Sequence, residues 1–208
     1  MAIRPGFTIK DGKIISVNAN FDWSGGFALS QKQKNISKLH AALGKPSLEV
    51  STKSTSEIGR RLSAFMLTLD GFTLENVFQS SKVFEEGGPF ADLLYVNPRE
   101  AKRDSRLRES GKLTGFFYRG ESWPLVPRTA FYDFIYMQAV RECADIEDLK
   151  KLEDYTFFTD IEFNPKKSIN TQARAIVIIK MLLEMYGGEI PKLDKDSFIE
   201  FHKSVVLY

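Results

Sequence analysis

Apolar and polar residues alternate on both sides of Asp11-Gly12, and the alternation predicts a β-hairpin over residues 7–17 turning on that pair. From Ser30 the spacing changes to a helical one. Ile36, Leu39 and Leu43 then share an inward face, and Lys32, Lys34 and Lys38 share the opposite one. Residues 48–54 read as a strand running into a Ser/Thr-rich loop. Residues 62–65 read as a further short strand, followed by a turn at Asp70-Gly71 and a helix capped by Thr73. On that helix Leu74, Val77, Phe78, Ser81 and Phe84 form an apolar repeat. Glu75, Gln79 and Lys82, at i, i+4 and i+7, form a polar stripe beside it. By spacing alone the stripe fits an ordinary solvated face as well as a site.

The helix ends at Glu86-Gly87-Gly88-Pro89. A short helix over 90–95, another from Pro98 that carries Lys102 and Arg103, and a strand over 113–118 follow. Trp123 stands beside Pro124 in a polar loop, where it can pack on a base or sugar or be partly buried in the core. Residues 129–143 form a strong helix with Phe131, Phe134, Ile135 and Ala139 in one row, and 146–152 form a short one. The helix from Ile169 to about Tyr186 is apolar nearly all round, which predicts a buried central helix. Residues 197–206 make a last helix or strand. Between these, residues 155–168 mix acidic and aromatic residues and run into Lys166-Lys167. That loop has no evident structural purpose and is a second place to look for chemistry.

Composition narrows the picture. With 208 residues, 43% of them apolar, the chain can bury one substantial core. A single domain over 1–208 is expected, with residues 1–61 as a basic extension packed on a 62–208 core. Cys143 is the only cysteine, which excludes an internal disulfide and fits a reducing compartment. Two histidines without clustered thiols leave no visible metal site, and no cofactor is expected; His40 reads as structural. The N-terminal stretch lacks the apolar run of a signal peptide, and Arg174, Lys180 and Glu184 interrupt the longest apolar segment. The expectation is a soluble cytoplasmic protein with no membrane partner. Net charge is only +2, yet residues 1–62 hold ten Lys/Arg against four Asp/Glu, about +6. Such polarity suits a polyanion on one face and is also common among enzymes of phosphorylated metabolites.

Leu62-Ser63-Ala64-Phe65, the turn at Gly71, and Glu75-Asn76-Val77-Phe78-Gln79-Ser80-Ser81-Lys82 together resemble the NADAR (YbiA-like) superfamily, with its FSNF box and EHxFQxxK motif. Glu75, Phe78, Gln79 and Lys82 match residue by residue, whereas Asn76 stands for the usual His, and Leu62 and Ala64 depart from the box. Ala101-Lys102-Arg103 falls at a small-basic stretch of the family and Trp123 at its active-site Trp. Asp160 and Phe163 fall at its Asp-x-x-Trp positions. A second resemblance, over about residues 21–174, is to the NADAR antitoxins paired with DarT-type DNA ADP-ribosyltransferase toxins. It rests on the segments 26–36, 48–54, 78–85 and 159–168.

The resemblance implies an α+β fold, mainly helical, with small antiparallel β-sheets. It also implies hydrolysis of the N-glycosidic bond between ADP-ribose and guanine in single-stranded DNA, which would reverse a DarT-type toxin. Two carboxylates flanking the bond suit that chemistry. Glu75 is the expected principal carboxylate and Asp160 the second, with their roles interchangeable. Phe65, Asn76, Phe78, Gln79, Lys82, Lys102, Arg103, Trp123, Phe163 and Asn164 are expected around ADP-ribose and base. Trp123 and Phe163 would stack, and Lys82, Lys102 and Arg103 would neutralise the diphosphate. Lys32, Lys34, Asn35 and Lys53 are expected to touch DNA phosphates. An N-glycosidase of a small ribose-phosphate metabolite and a non-catalytic module binding ADP-ribose or the toxin remain the alternatives.

Overall fold

The structure is a computed structural model that describes residues 1–166 and 168–207; Lys167, one of the two lysines noted in the 155–168 loop, and Tyr208 lie outside them. The chain opens with the expected hairpin, longer than its alternation suggested, in β1 (Ala2–Lys10) and β2 (Lys13–Phe21). Asp11 (φ 51°) and Gly12 (φ 69°) both adopt the left-handed conformation that a tight two-residue turn requires. Next come α1 (Leu29–Leu43), β3 (Ser47–Glu49) and α2 (Glu57–Arg61).

Residues 62–65 form a turn, not a strand. The short hairpin lies just beyond, in β4 (Thr68–Leu69) and β5 (Phe72–Thr73), around Asp70-Gly71. Thr73 caps α3 (Leu74–Ser80), its hydroxyl accepting from the Asn76 N–H. Every residue of α3 is buried, so its polar stripe faces the interior and not solvent. The helix also ends earlier than its apolar repeat predicts. Lys82 opens β6 (Lys82–Phe84), which pairs antiparallel with β7 (Leu113–Tyr118).

A 3-10 turn (Ala91–Tyr95), α4 (Pro98–Ala101) and α5 (Arg106–Glu109) connect these strands, and β8 (Glu121–Trp123) completes a sheet of order β6-β7-β8. The core is built on α6 (Ala130–Cys143) and α8 (Gln172–Met185), whose apolar surfaces pack together. Around them lie α7 (Ile146–Lys150), a second 3-10 turn (Lys151–Asp154) and α9 (Lys195–Val205).

Residues 155–168, which had no evident structural purpose, contain β9 (Phe157–Thr159). This strand is antiparallel to β1 and parallel to β3, giving a sheet of order β2-β1-β9-β3. The α+β class stands, with this one parallel pair among otherwise antiparallel strands. Because β9 lies between β1 and β3, a late segment of the chain is woven into the sheet made by the first 61 residues. Behind it, α1 buries Ile36 and Leu39 against Ala19, Phe21 and Ile161. No helix among the described residues is long and apolar enough to cross a membrane.

Candidate active site

In the turn at 62–65, Ala64 ties the backbone of one expected acid to the side chain of the other. The Ala64 carbonyl accepts from the Glu75 N–H at 3.1 Å, at the start of α3. The Ala64 N–H donates to the Gln172 side-chain oxygen at 2.6 Å, and the Gln172 amide nitrogen donates to Asp160 Oδ2 at 3.2 Å. Gln172, in the first turn of α8, was not singled out in the sequence, because its role depends on three segments meeting. Tyr136 steadies the same turn by donating to the Leu62 carbonyl.

Glu75 is buried, and its carboxylate accepts from Gln79 Nε2 at 2.9 Å. The Gln79 oxygen in turn accepts from Lys82 Nζ at 2.7 Å. The Glu75–Gln79–Lys82 stripe therefore survives although Lys82 has left the helix. Burial is the main influence lowering the Lys82 ammonium to about 8, Glu75 opposes it, and Lys102 adds repulsion. Lys102 Nζ lies 3.5 Å from Glu75 Oε1 and 5.4 Å from the ring centre of half-buried Phe65.

Asp160 follows β9 and is buried. Burial raises its carboxyl to about 6, with hydrogen bonds from Gln172 and the Glu162 N–H opposing; Glu162 adds repulsion and Lys102 attraction. One exposed lysine thus acts on both carboxylates. The Tyr132 hydroxyl, fully buried, feels the charge of both as well. A further acid belongs to this group and was not recognised in the sequence as one of its members. Glu49, at the end of β3, is buried, and burial followed by repulsion from Asp160 raises it to about 7.

Several expected contacts take different places. Trp123 is buried at 3% exposure, its ring 4.6 Å from Phe134 and 5.4 Å from Phe131, so it packs into the core. Phe78 packs among Phe116, Phe131 and Tyr132, with Lys82 4.8 Å above its face. Phe163 packs edge-on to Phe7. Asn76 does not face the carboxylates: its amide donates to the Leu93 and Val96 carbonyls at 2.6 and 2.9 Å. It thereby fixes the segment leading to Asn97, which caps α4 ahead of Lys102. Asn164 accepts from the Lys166 N–H and closes a local turn.

Of the residues expected on DNA, Asn35 is fully buried and both ends of its amide bind the Ser24 backbone, so it is an internal tie. Lys32 pairs with Glu162 at 3.1 Å. Lys34 and Arg103 are exposed and Lys53 is half-buried. His40 meets Thr159 at 2.9 Å, and burial lowers its imidazole to about 4. Among the described residues no cluster of His, Cys, Asp and Glu could hold a metal ion. A surface cavity of about 300 Å³ beside Thr8, Tyr155 and Lys180 lies apart from this group, and Lys180 there donates to three backbone carbonyls.

The fold and site together define an α+β domain with buried carboxylates, one half-buried lysine, Lys82, and one exposed lysine, Lys102. The family is fixed by comparison: the sequence model of the DarT1-associated NADAR antitoxins matches residues 2–206. The chain belongs to that family, whose description links it to a DarT1 toxin. No curated protein matches the chain.

Proposed function

We propose that this protein hydrolyses the N-glycosidic bond between ADP-ribose and guanine in single-stranded DNA, and so acts as an enzymatic antitoxin. The observation that carries the reading is Ala64, whose carbonyl accepts from the Glu75 backbone N–H and whose own N–H reaches the Asp160 carboxylate through Gln172. Together with family membership, it supplies two carboxylates for one scissile bond.

Cleavage builds positive charge on the ribose and negative charge on the departing base. Glu75, oriented by Gln79, stabilises the ribose cation. Asp160, raised to about 6, retains a proton in part of the molecules near neutral pH and delivers it to guanine. Water then bonds to the ribose carbon as the carbon–nitrogen bond breaks, and its released proton restores Asp160. Lys82 and Lys102 neutralise the diphosphate, and Phe65 offers a partly open ring to the ribose or base. A base outside a duplex fits a site served by so few exposed groups, and Lys34 remains for the backbone phosphates.

The test is a single-stranded oligonucleotide bearing ADP-ribose on guanine, followed by mass analysis. Wild type should release free ADP-ribose, and Glu75→Gln should bind the oligonucleotide without releasing it. Release at an undiminished rate by Glu75→Gln would overturn the catalytic assignment, and no release by wild type would overturn the activity.

A further inference from the structure

We propose that residues 22–29 form a rigid ledge for the nucleotides that flank the modified guanine, with Phe27 stacking on a neighbouring base and Arg4, Lys32 and Lys34 facing the phosphates. The inference rests on the reading of the substrate as single-stranded DNA bearing the adduct.

Phe27 is 97% exposed, more than any other aromatic residue described. A lone exposed apolar side chain would mean little by itself. This one stands on a loop that α1 holds firmly. Asn35 accepts from the Ser24 N–H at 2.7 Å and donates to the Ser24 carbonyl at 2.9 Å. Lys38 Nζ donates to the Asp22 carbonyl at 2.8 Å and to the Ser24 hydroxyl at 3.0 Å. The Ala28 N–H donates to the Gln31 side-chain oxygen at 3.2 Å. Gly26, beside Phe27, has φ 106°, and a side chain there would run into Gln31 and break that tie. Three side chains of α1 thus fix the backbone on both sides of Phe27 and leave its ring in water. Ordering a loop costs entropy, and a ring pre-set in this way lowers the cost of meeting a partner from outside.

The charge around the loop selects that partner. Half-buried Trp23 has the Arg4 guanidinium 5.2 Å and the Lys32 ammonium 5.7 Å from its ring centre. Arg4 donates to the Ile3 carbonyl at 2.9 Å and pairs with no carboxylate among the described residues; exposed Lys34 pairs with none either. Against Arg4, Lys32, Lys34 and Lys38 stand two carboxylates, Asp22 on the loop and Glu162, which pairs with Lys32 at 3.1 Å. A net positive face around an open ring suits a single strand, whose bases stack and whose phosphates are anionic.

The ledge is joined to the expected proton donor. The Lys32 N–H donates to the Ala28 carbonyl at 3.1 Å, so Phe27 lies about one helical turn from Lys32. Glu162, the partner of Lys32, donates its backbone N–H to Asp160 Oδ1 at 3.1 Å. Ile161, between them, packs with Ile36 and Leu39 of α1. One helix therefore positions both the ring and the loop that carries the acid, and a strand leaving the site along this helix passes the ring.

The experiment uses the full chain and a fluorescein-labelled single-stranded oligonucleotide without adduct, followed by anisotropy, beside steady-state release from the adduct-bearing oligonucleotide. Phe27→Ala should weaken binding by about 5- to 100-fold, and Phe27→Trp should restore it. Lys34→Gln should lower the slope of log affinity against log salt by about 0.7, and Phe27→Ala should leave that slope in place. In turnover the loss in Phe27→Ala should fall on KM. Equal affinity of wild type and Phe27→Ala for the oligonucleotide would overturn the proposal, as would a fall in kcat with KM unmoved. A dimer in light scattering that Phe27→Ala dissolves would overturn it too, because the ring would then serve a second copy. The Phe27 ring is open to water, so its replacement leaves the core untouched. A wild type that binds the strand through Phe27 but releases no ADP-ribose would sink the hydrolase reading and leave the ledge standing.

Discussion

Two sets of buried acids lie within one core and are treated in opposite ways. Asp133 on α6 is fully buried, yet its carboxyl stays below the usual range. Burial pushes it up, and Arg174, His202 and Thr129 together outweigh burial. Arg174 Nε approaches at 3.2 Å, His202 Nε2 at 3.0 Å and the Thr129 hydroxyl at 2.8 Å. Glu49 and Asp160 are buried too but receive hydroxyls, amides and one exposed lysine in place of a guanidinium, and both are raised. The difference shows how a charge serves a fold or a reaction. A carboxylate fully matched by cations is pinned in one state, whereas one matched only by neutral donors stays near its titration point, where proton transfer is easy.

The largest effect should follow from unpinning Asp133. Arg174→Met removes the guanidinium and leaves a buried carboxylate short of its partner, so unfolding by urea should show a loss of about 3–5 kcal/mol. Asp160→Asn should do the reverse. It should cost little stability at pH 8, where the buried charge is unfavourable, but lower ADP-ribose release by about 10²–10⁴-fold. An Asp160→Asn protein that unfolds as readily as Arg174→Met would erase the distinction.

The pH dependence of stability separates the two sets by sign. Asp133 is lowered, so its contribution is present above the ordinary carboxylate range and is lost as pH falls through its folded value, below about 4. Glu49 and Asp160 are raised to about 7 and about 6, so the native state binds more protons between about 4 and 7, and their contribution declines as pH rises through that window. His40, lowered to about 4, works the other way between about 4 and 6.5, so urea midpoints should fall from about pH 4.5 to about 7.5 in wild type by less than the two acids alone would give. The fall should flatten in Asp160→Asn and persist at least in part in Arg174→Met.

The same contrast explains what the sequence could reveal. Features set by near neighbours were legible: the turns at Asp11-Gly12 and Asp70-Gly71, the Thr73 cap, and the buried rows of α6 and α8. Glu75 and Asp160 were legible through motifs, which record a residue's identity but not its surroundings. Features set by distant partners were hidden. The helical repeat runs through Phe84, but pairing of Lys82 with Phe116 and Val83 with Gly115 takes those residues into a strand. Trp123 leaves two readings open, a loop aromatic or a core one, until Phe131 and Phe134 arrive from α6 and bury it. Glu49 lies inside a segment noted only for its hydroxyls. Its pairing with residues 159–161, some 110 positions away, makes it part of the site.

The smallest effect sharpens the comparison most, because it changes charge alone. Lys102 carries the same unit charge as Arg174, yet its side chain is 56% exposed against 10% for Arg174. Water screens it, so Lys102→Met should shift stability by no more than about 0.5 kcal/mol. Its attraction for Asp160 is real even so, and losing it should raise the Asp160 midpoint further in a carboxyl titration. The shift should shrink as salt is added to the wild type, since an exposed cation is already partly screened. A stability loss as large as that of Arg174→Met would mean that Lys102 pins Glu75 as Arg174 pins Asp133, and that the site is structural. A raised midpoint with stability intact would place Lys102 with the groups that tune the reaction.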